Sequence, residues 1–579
     1  MSQLSLPSAT AALTSGAWIA LRQQIEEALA AMDTGLRRAA AGAGIGRHGE
    51  TASGFYAADG ALLVAGRESH PLLLEAAGEA LAYLAQDREE AFAPEDVFWT
   101  NDPHCGAASL EDLVIATPLL AQGTLLGFIA VTASHAGLGK SSLTPVAHLR
   151  QEGLILPWVR AARAGAMIPE LRNLLVANSE SPADFLQDLS GHLHAVHLGR
   201  AALEDLLLPL GSEIAERIRE RVAGSCRRAI GSIWQRSEQP LFTATVAPFS
   251  VRIAPTEAGV RVQVDNAGGP CALSPALTQA AVRAALREVL SVEAPSLAVL
   301  GGLAETVEIV VNWPAPAARL LGGVSRFAEA QRVAEAVLGG FAESLAHLTH
   351  APDAGCALVD LRGERADGST YHLRLGVPGG LGASVFGDGL THATAPFLPR
   401  HLPSVEDIER AVPVRVLRLE AVPDSAGPGQ YHGGSGARLE LLLLEGRGEV
   451  DVLLPGYAPG ARGGMRGTPG ALTVITPEAG RREERGPTRC TIALRAGDRI
   501  ILESPGGAGW GIPFQRSILR LEEDLQRDLI TSEHAQNRYG LVLKPGTREK
   551  DDHLTYRVRH YLLSTLAVED IIAGEELLD

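Results

Sequence analysis

The stretch Thr100-Asn101-Asp102-Pro103-His104-Cys105-Gly106-Ala107-Ala108-Ser109-Leu110-Glu111-Asp112 leads into an apolar run, Leu113 to Ala133, that closes on Ser134-His135-Ala136-Gly137. The run has the length of a membrane span. Pro118 and Gln122-Gly123 interrupt it, and each half is about as long as a strand. It therefore reads as a hairpin of two buried strands, whose end returns to its starting edge. Polar residues gather at that common end: Asp102 and Asp112 ahead of the hairpin, His135 after it. Glu50 precedes an earlier hairpin, signalled by Asp59-Gly60, and could join them. Carboxylates and an imidazole are the ligands a divalent cation wants. The plainer reading is an Asx-type turn at Asn101-Asp102-Pro103 and a core histidine at 135. These residues alone leave both readings open.

Outward from this hairpin the pattern changes several times. Residues 14–42 and 71–86 read as helices, and 182–224 is helical, with Leu186, Leu189, Leu193, Val196 and Leu203 at helical spacing. From about 240 the chain alternates, as in Val260-Arg261-Val262-Gln263-Val264, and strands are expected. Helices follow around 274–290 and 326–346. Residues 376–513 are rich in glycine and strand formers; 514–579 is charged and helical, with one helix expected over 515–537 and an acidic tail. The fold class is α+β and multi-domain: an N-terminal mixed α/β region (1–240) carrying the candidate site, a mixed α/β middle region (241–375), a glycine-rich β region (376–513) and terminal helices (514–579).

Composition narrows the function. Of 579 residues, 46% are hydrophobic and 21% charged, which is ordinary for a globular chain. The formal net charge of −17 argues against nucleic acid and anionic membranes as partners, since both need a basic footprint. Five widely spaced cysteines without a CxxC pair fit a reduced, cytoplasmic setting. Met1 to Leu13 has no basic n-region or long apolar core, so no signal peptide is read there.

Other motifs carry less. Ser134 to Ser141 ends in Gly-Lys-Ser like a phosphate loop, but Ser134 replaces its first glycine and Pro145 stops the helix that would hold phosphate. Gly379-Gly380-Leu381-Gly382-Ala383 and Pro505-Gly506-Gly507-Ala508-Gly509-Trp510-Gly511 open no helix in a βαβ context, so tight backbone approach is the expected role. His192, His194 and His197 share one helix, with no carboxylate facing them. There is no GxSxG elbow and no HExxH.

Taken in order, several segments resemble the B-type subunits of the hydantoinase/5-oxoprolinase family, which also includes N-methylhydantoinase subunits and acetone carboxylase alpha subunits. They are Thr100-Asn101-Asp102-Pro103, Glu152-Gly153-Leu154-Ile155-Leu156-Pro157, Asn178 with Asp188, the glycine cluster at 379–383 and Asp388-Gly389. Pro423-Asp424-Ser425-Ala426-Gly427-Pro428-Gly429, Gly433-Gly434-Ser435-Gly436, 505–513 and Tyr539-Gly540-Leu541-Val542-Leu543 complete the series. The resemblance implies an A-type partner subunit with an ATP-binding fold, ATP bound on that partner, a hetero-oligomer, and a small cyclic amide or ketone as substrate. It implies a divalent metal (Mn, Zn or Fe) held by Glu50, Asp112 and His135, with Asp112 and His135 catalytic. Departures accompany it. Where the family carries Gly-Gly-Thr-His-Leu-Pro-Asp, this chain has Ser109 for the histidine and keeps Asp112. Where the family has His-His-Ala-Asp, this chain has Ser134, His135, Ala136 and Gly137, with Lys140 following. Family arginines stand here as Ser384 and His432. Such losses weaken a metal site. The chain is expected to be an active B-type member of an ATP-dependent hydrolase or carboxylase, or a degenerate, non-catalytic paralogue within such a complex.

Overall fold

The computed structural model describes residues 15–40, 50–86, 92–135, 138, 143, 149–179, 182–237, 239–267, 271, 273–313, 323–398, 402–454, 464–476, 480–485, 488–547 and 549–565. Contacts divide the chain into two compact units, residues 1–340 and 341–579.

In the first unit the strands are Thr51–Ala57 (β1), Leu62–Ala65 (β2), Val97–Thr100 (β3), Asp112–Ala121 (β4), Thr124–Ser134 (β5), Val159–Arg163 (β6) and Ala166–Met167 (β7). They form one sheet in the order β2-β1-β5-β4-β3-β6-β7. The apolar run is thus a hairpin, β4 and β5, with Gln122 and Gly123 both at positive φ in its turn. Pro118 does not interrupt it. It lies inside β4 opposite Phe128, beyond the Val114–Ala116 segment that pairs with β3. At that point the strand has a neighbour on one side, where a missing N–H is tolerated.

The helices of this unit are Ser15–Ala39 (α1), Pro71–Gln86 (α2), Pro169–Ala177 (α3), Pro182–Leu207 (α4), Ile214–Arg236 (α5), Pro275–Glu293 (α6) and Gly323–Ala342 (α7). Trp18, Leu21, Ile25, Leu29, Met32 and Leu36 recur along α1 at helical spacing and are buried. The helix packs on α4, where Gly199 meets the Met32 side chain and Gly191 meets Ala39. Phe242–Val246 (β8), Phe249–Pro255 (β9), Val260–Asn266 (β10) and Val307–Val311 (β11) form a second sheet. In it β10 and β11 run parallel, joined through α6. Parallel neighbours need a crossover of this kind.

One polar residue of α1 is costly. Asp33 is buried, accepts from Ser53 Oγ at 2.8 Å, and has no hydrogen bond at Oδ1. Burial pushes its carboxyl from 3.8 up to about 6, against Ser53 and Arg37, which pull it down. Folded Asp33 keeps its proton to higher pH than the unfolded chain does. Its stabilisation is complete below pH 3.8 and is lost as the pH rises through about 6. Asp33→Asn should therefore gain on the wild type by roughly 3 kcal/mol between pH 4 and 7, at about 1.4 kcal/mol per tenfold change in proton affinity. Urea denaturation at several pH values measures the difference, and a gap that stays constant with pH contradicts the reading.

In the second unit, Cys356–Glu364 (β12), Thr370–Pro378 (β13), Val414–Ala421 (β14), Ala437–Leu443 (β15), Arg447–Leu454 (β16), Ala471–Thr476 (β17), Gly480–Arg485 (β18), Thr488–Arg495 (β19) and Arg499–Glu503 (β20) make two sheets. Their orders are β13-β12-β16-β19 and β14-β15-β20-β17-β18. One apolar cluster draws Val359, Leu361, Leu373, Val450 and Val452 from the first and Leu439, Leu441, Leu472, Ile500 and Leu502 from the second. Val359 and Leu361, Val450 and Val452, Leu439 and Leu441, and Ile500 and Leu502 each stand two residues apart, the spacing that turns side chains to one face of a strand. The expected β-rich character of 376–513 is seen, with one short α-helix among the described residues, Val405–Ala411 (α8).

The single helix expected over 515–537 is two: Ile518–Gln526 (α9) and Ser532–Tyr539 (α10), followed by Asp552–Thr565 (α11). Asp528 between them has φ 54, and Thr531 caps α10 by accepting from His534 N at 3.1 Å. Thr531 followed by Glu533 is a helix start signal that the leucine spacing obscured. Leu519, counted in that spacing, is in fact exposed. The acidic tail lies outside the described residues.

Candidate functional site

Asp112 opens β4, and its partner across the hairpin is Ser134, the last residue of β5. Residues directly opposite each other in a sheet share a face. The Ser134 hydroxyl accordingly donates to Asp112 Oδ1. Ser109, in the turn that enters β4, donates its Oγ to Oδ2 at 2.7 Å, and its carbonyl accepts from Asp112 N at 3.1 Å. Both oxygens of a carboxylate that is 1% exposed are thus engaged by serines. Burial pushes this carboxyl from 3.8 up to about 6, although both hydroxyls and the Arg326 guanidinium favour its charged form.

The loop before Asp112 is pinned by fully buried Asn101. Its Nδ2 donates to the carbonyls of Leu110 (2.8 Å) and Leu154 (2.9 Å), and its Oδ1 accepts from Leu156 N at 2.7 Å. Asp102 caps the short turn Pro103–Cys105 by accepting from His104 N. At this residue the Asx-turn reading describes the structure. The same Glu152–Leu156 segment carries Glu152, which is paired in the interior with Arg326 of α7.

His135 follows Ser134 directly. Successive residues of extended chain point to opposite sides, and His135 turns toward α4. Its Nε2 lies 2.9 Å from His192 Nδ1, and the Phe185 ring lies edge-on to it. His192 Nε2 is 2.9 Å from the Val131 carbonyl. A carbonyl only accepts, so Nε2 of His192 carries hydrogen and its Nδ1 accepts from His135. The lone pair of His135 is then at Nδ1, which is buried and has no hydrogen-bond partner among the described residues. Burial holds the imidazole of His135 well below 6.5 and lowers His192 to about 4, so both are neutral at pH 7.

The sequence-derived residues are therefore divided. Asp112 meets Ser109 and Ser134, whereas His135 meets His192 and Phe185. No hydrogen bond or ion pair among the described residues joins Asp112 to His135. Glu50 precedes Thr51, which pairs with Ala133; β5 lies between that strand and β4. Two strand spacings of about 4.8 Å separate β1 from β4. Among the described residues, no group of three or more His, Cys, Asp or Glu is placed to hold one ion. The donors around Asp112, one carboxylate and two alcohols, do not fit Mn, Zn or Fe, which prefer imidazole and several carboxylates. Gly137, Gly139, Lys140 and Ser141, and with them the phosphate-loop motif, lie outside the described residues. At the family-arginine position 432, His432 Nε2 stands 3.5 Å from Asp524, and Arg516 supplies the cation between Asp388 and Asp524.

Motif spacing presents His192 only as one of three helix histidines. The signal that singles it out is its place between Leu189 and Val196 on the buried stripe; His194 is exposed and His197 half-buried.

The family model for hydantoinase B/oxoprolinase matches residues 19–513. The chain belongs to this family. It is 22% identical to the B-type subunit of a putative D-/L-hydantoinase from a Pseudomonas strain, over 79% of this chain and 83% of that protein. Among solved structures it is similar to a nucleotide-free acetone carboxylase, with TM-score 0.80 and 14% identity, covering 95% of this chain and 83% of that one. It is also similar to the ATP-dependent caprolactamase of Pseudomonas jessenii, with TM-score 0.77 and 19% identity, covering 94% and 98%. The chain has the α+β, multi-domain fold, and these two structures share its fold. No helix among the described residues is long and apolar enough to cross a membrane.

Proposed function

We propose that this chain is the B-type component of an ATP-dependent amidohydrolase acting on a small cyclic amide, beside an A-type subunit that binds ATP. The observation that carries this is its match, across most of both chains, to a protein named as the B-type subunit of a hydantoinase. An ATP-dependent caprolactamase, whose substrate is a cyclic amide, has a similar fold, which is in keeping with this reading. In this reading ATP is bound and spent on the A-type partner. Asp112, with its two hydroxyl partners, and His135, with its bare Nδ1, are the residues that this chain contributes. A neutral imidazole held in one tautomer, with its lone pair free at Nδ1, is suited to accept a hydrogen bond from substrate or water.

A second reading has its own observation. Ser109 and Ser134 stand at family histidine positions and are both spent on Asp112, which fits a non-catalytic paralogue that serves the assembly. One experiment separates them. The chain is co-expressed with an A-type subunit, and ATP-dependent opening of hydantoin, 5-oxoproline and a lactam is followed. Co-elution on size exclusion is expected, and separate elution at micromolar concentration would refute the assembly. In the active reading, Asp112→Asn and His135→Ala each lower turnover by at least roughly 100-fold, the low end for loss of a proton-transfer group. In the paralogue reading both leave it unchanged. Circular dichroism confirms that the variants are folded.

A further inference from the structure

The serines around Asp112 are more than absent ligands. Each donates its hydroxyl hydrogen to a different oxygen of the same carboxylate. Ser109 also accepts from Glu111 N at 3.2 Å, and its carbonyl accepts from Asp112 N, so the turn closes on itself. A cation bound to Asp112 would have to displace both hydrogens and then take neutral alcohol oxygens as its next donors. Those are poor ligands for transition metals, which draw on thiolate, imidazole and carboxylate. The imidazole of His135, next to Ser134 in the chain, is tied to His192 instead. The buried guanidinium of Arg326 is among the charges acting on Asp112, which disfavours a second cation there.

We propose that Ser109, Asp112 and Ser134 form a metal-free hydrogen-bonded cage that closes the end of the β4–β5 hairpin, and that this chain binds no divalent metal at Asp112. The proposal rests on the family reading only for knowing that histidines stand at 109 and 134 elsewhere. The cage holds the loop that enters β4 against the last residue of β5, a task that a shared ion would otherwise perform. The geometry also says how to reverse it. Both serine hydroxyls already touch the carboxylate, so imidazoles at 109 and 134 would face the same oxygens. Two histidines and one carboxylate are a recurrent metal-binding set.

The test uses the full chain, alone and co-purified with its A-type partner, stripped with chelator and then dialysed against Mn2+, Zn2+ or Mg2+. Metal content is read by mass spectrometry and affinity by calorimetry. The wild type is expected to retain below about 0.1 metal per chain. Ser109→His with Ser134→His should retain about one, and adding Asp112→Asn should remove it, as expected when a ligand is lost. Metal on the wild type that persists in Asp112→Asn lies elsewhere and is consistent with the cage. About one metal per wild-type chain that Asp112→Asn abolishes would overturn the proposal. The wild-type measurement decides even if the histidine variant fails to fold. No ATP or turnover enters the readout, so its failure leaves the B-type assignment standing, and failure of co-elution leaves the cage standing.

Discussion

Gly380→Ala is expected to prevent the second unit from folding. A Cβ at position 380 would lie 1.8 Å from the Gly434 carbonyl oxygen and 2.7 Å from Gly507 N. Neither obstacle is a side chain that can swing away. The Gly434 carbonyl accepts from Gly507 N at 2.9 Å, Gly434 N donates to Leu381 O at 2.8 Å, and Gly380 N donates to Pro505 O at 3.1 Å. Three glycine-rich segments are thus laced together by backbone bonds with no room between them, and one methyl group breaks the lacing. The cost should exceed roughly 4 kcal/mol, in the range reserved for overpacking and broken buried networks. Gly387→Ala is the control, since a Cβ there meets nothing within 4 Å. It should change stability by no more than about 1 kcal/mol. Soluble yield, near-ultraviolet circular dichroism and thermal melting compare the two. A Gly380→Ala protein that melts like the wild type would show that these loops yield more easily than their bonds imply.

The second large effect is expected at the interior ion pair. Arg326 is fully buried and Glu152 is 2% exposed. Arg326 Nη1 lies 3.2 Å from Glu152 Oε2, and Nη2 bonds the same oxygen. Glu152 Oε1 and Arg326 Nε have no hydrogen-bond partner among the described residues, so the bonds between the two side chains carry most of the compensation for burial. Burial raises the Glu152 carboxyl, and Arg326 opposes that rise. Arg326→Met leaves a carboxylate in the interior without its counter-ion, which should cost about 3–5 kcal/mol. Adding Glu152→Leu removes the stranded charge and should recover most of the loss, because a buried pair is often replaceable by apolar groups at little net cost. Urea denaturation of the wild type, both single variants and the double variant completes the cycle. If the double variant is as unstable as the two single losses added together, the residues do not act as a pair.

Much of this protein was legible in its sequence because the signals are local. Helical spacing places α1, α2 and α6, strand length and Gln122-Gly123 place the β4–β5 hairpin, and glycine clusters mark close backbone approach. Errors came where one local signal masked another. Leucines suggested a single helix over 515–537 while Thr531 was starting a second one, and Pro118 looked like a break although it lies in a strand.

The candidate site divides in the same way. Sequence alone put Asp112 and His135 at one end of a hairpin, since strand pairing brings its two ends together. It could not say that Ser109 and Ser134 both turn their hydroxyls onto that carboxylate. Nor could it say that the very next side chain, His135, turns to the opposite side and finds His192. Arg326 and Glu152 are 174 residues apart in the chain and meet in the interior. The reason is physical: spacing along a chain fixes which face a residue occupies, but the donor and acceptor that wait on that face come from whatever segment packs against it, and only tertiary structure supplies that segment.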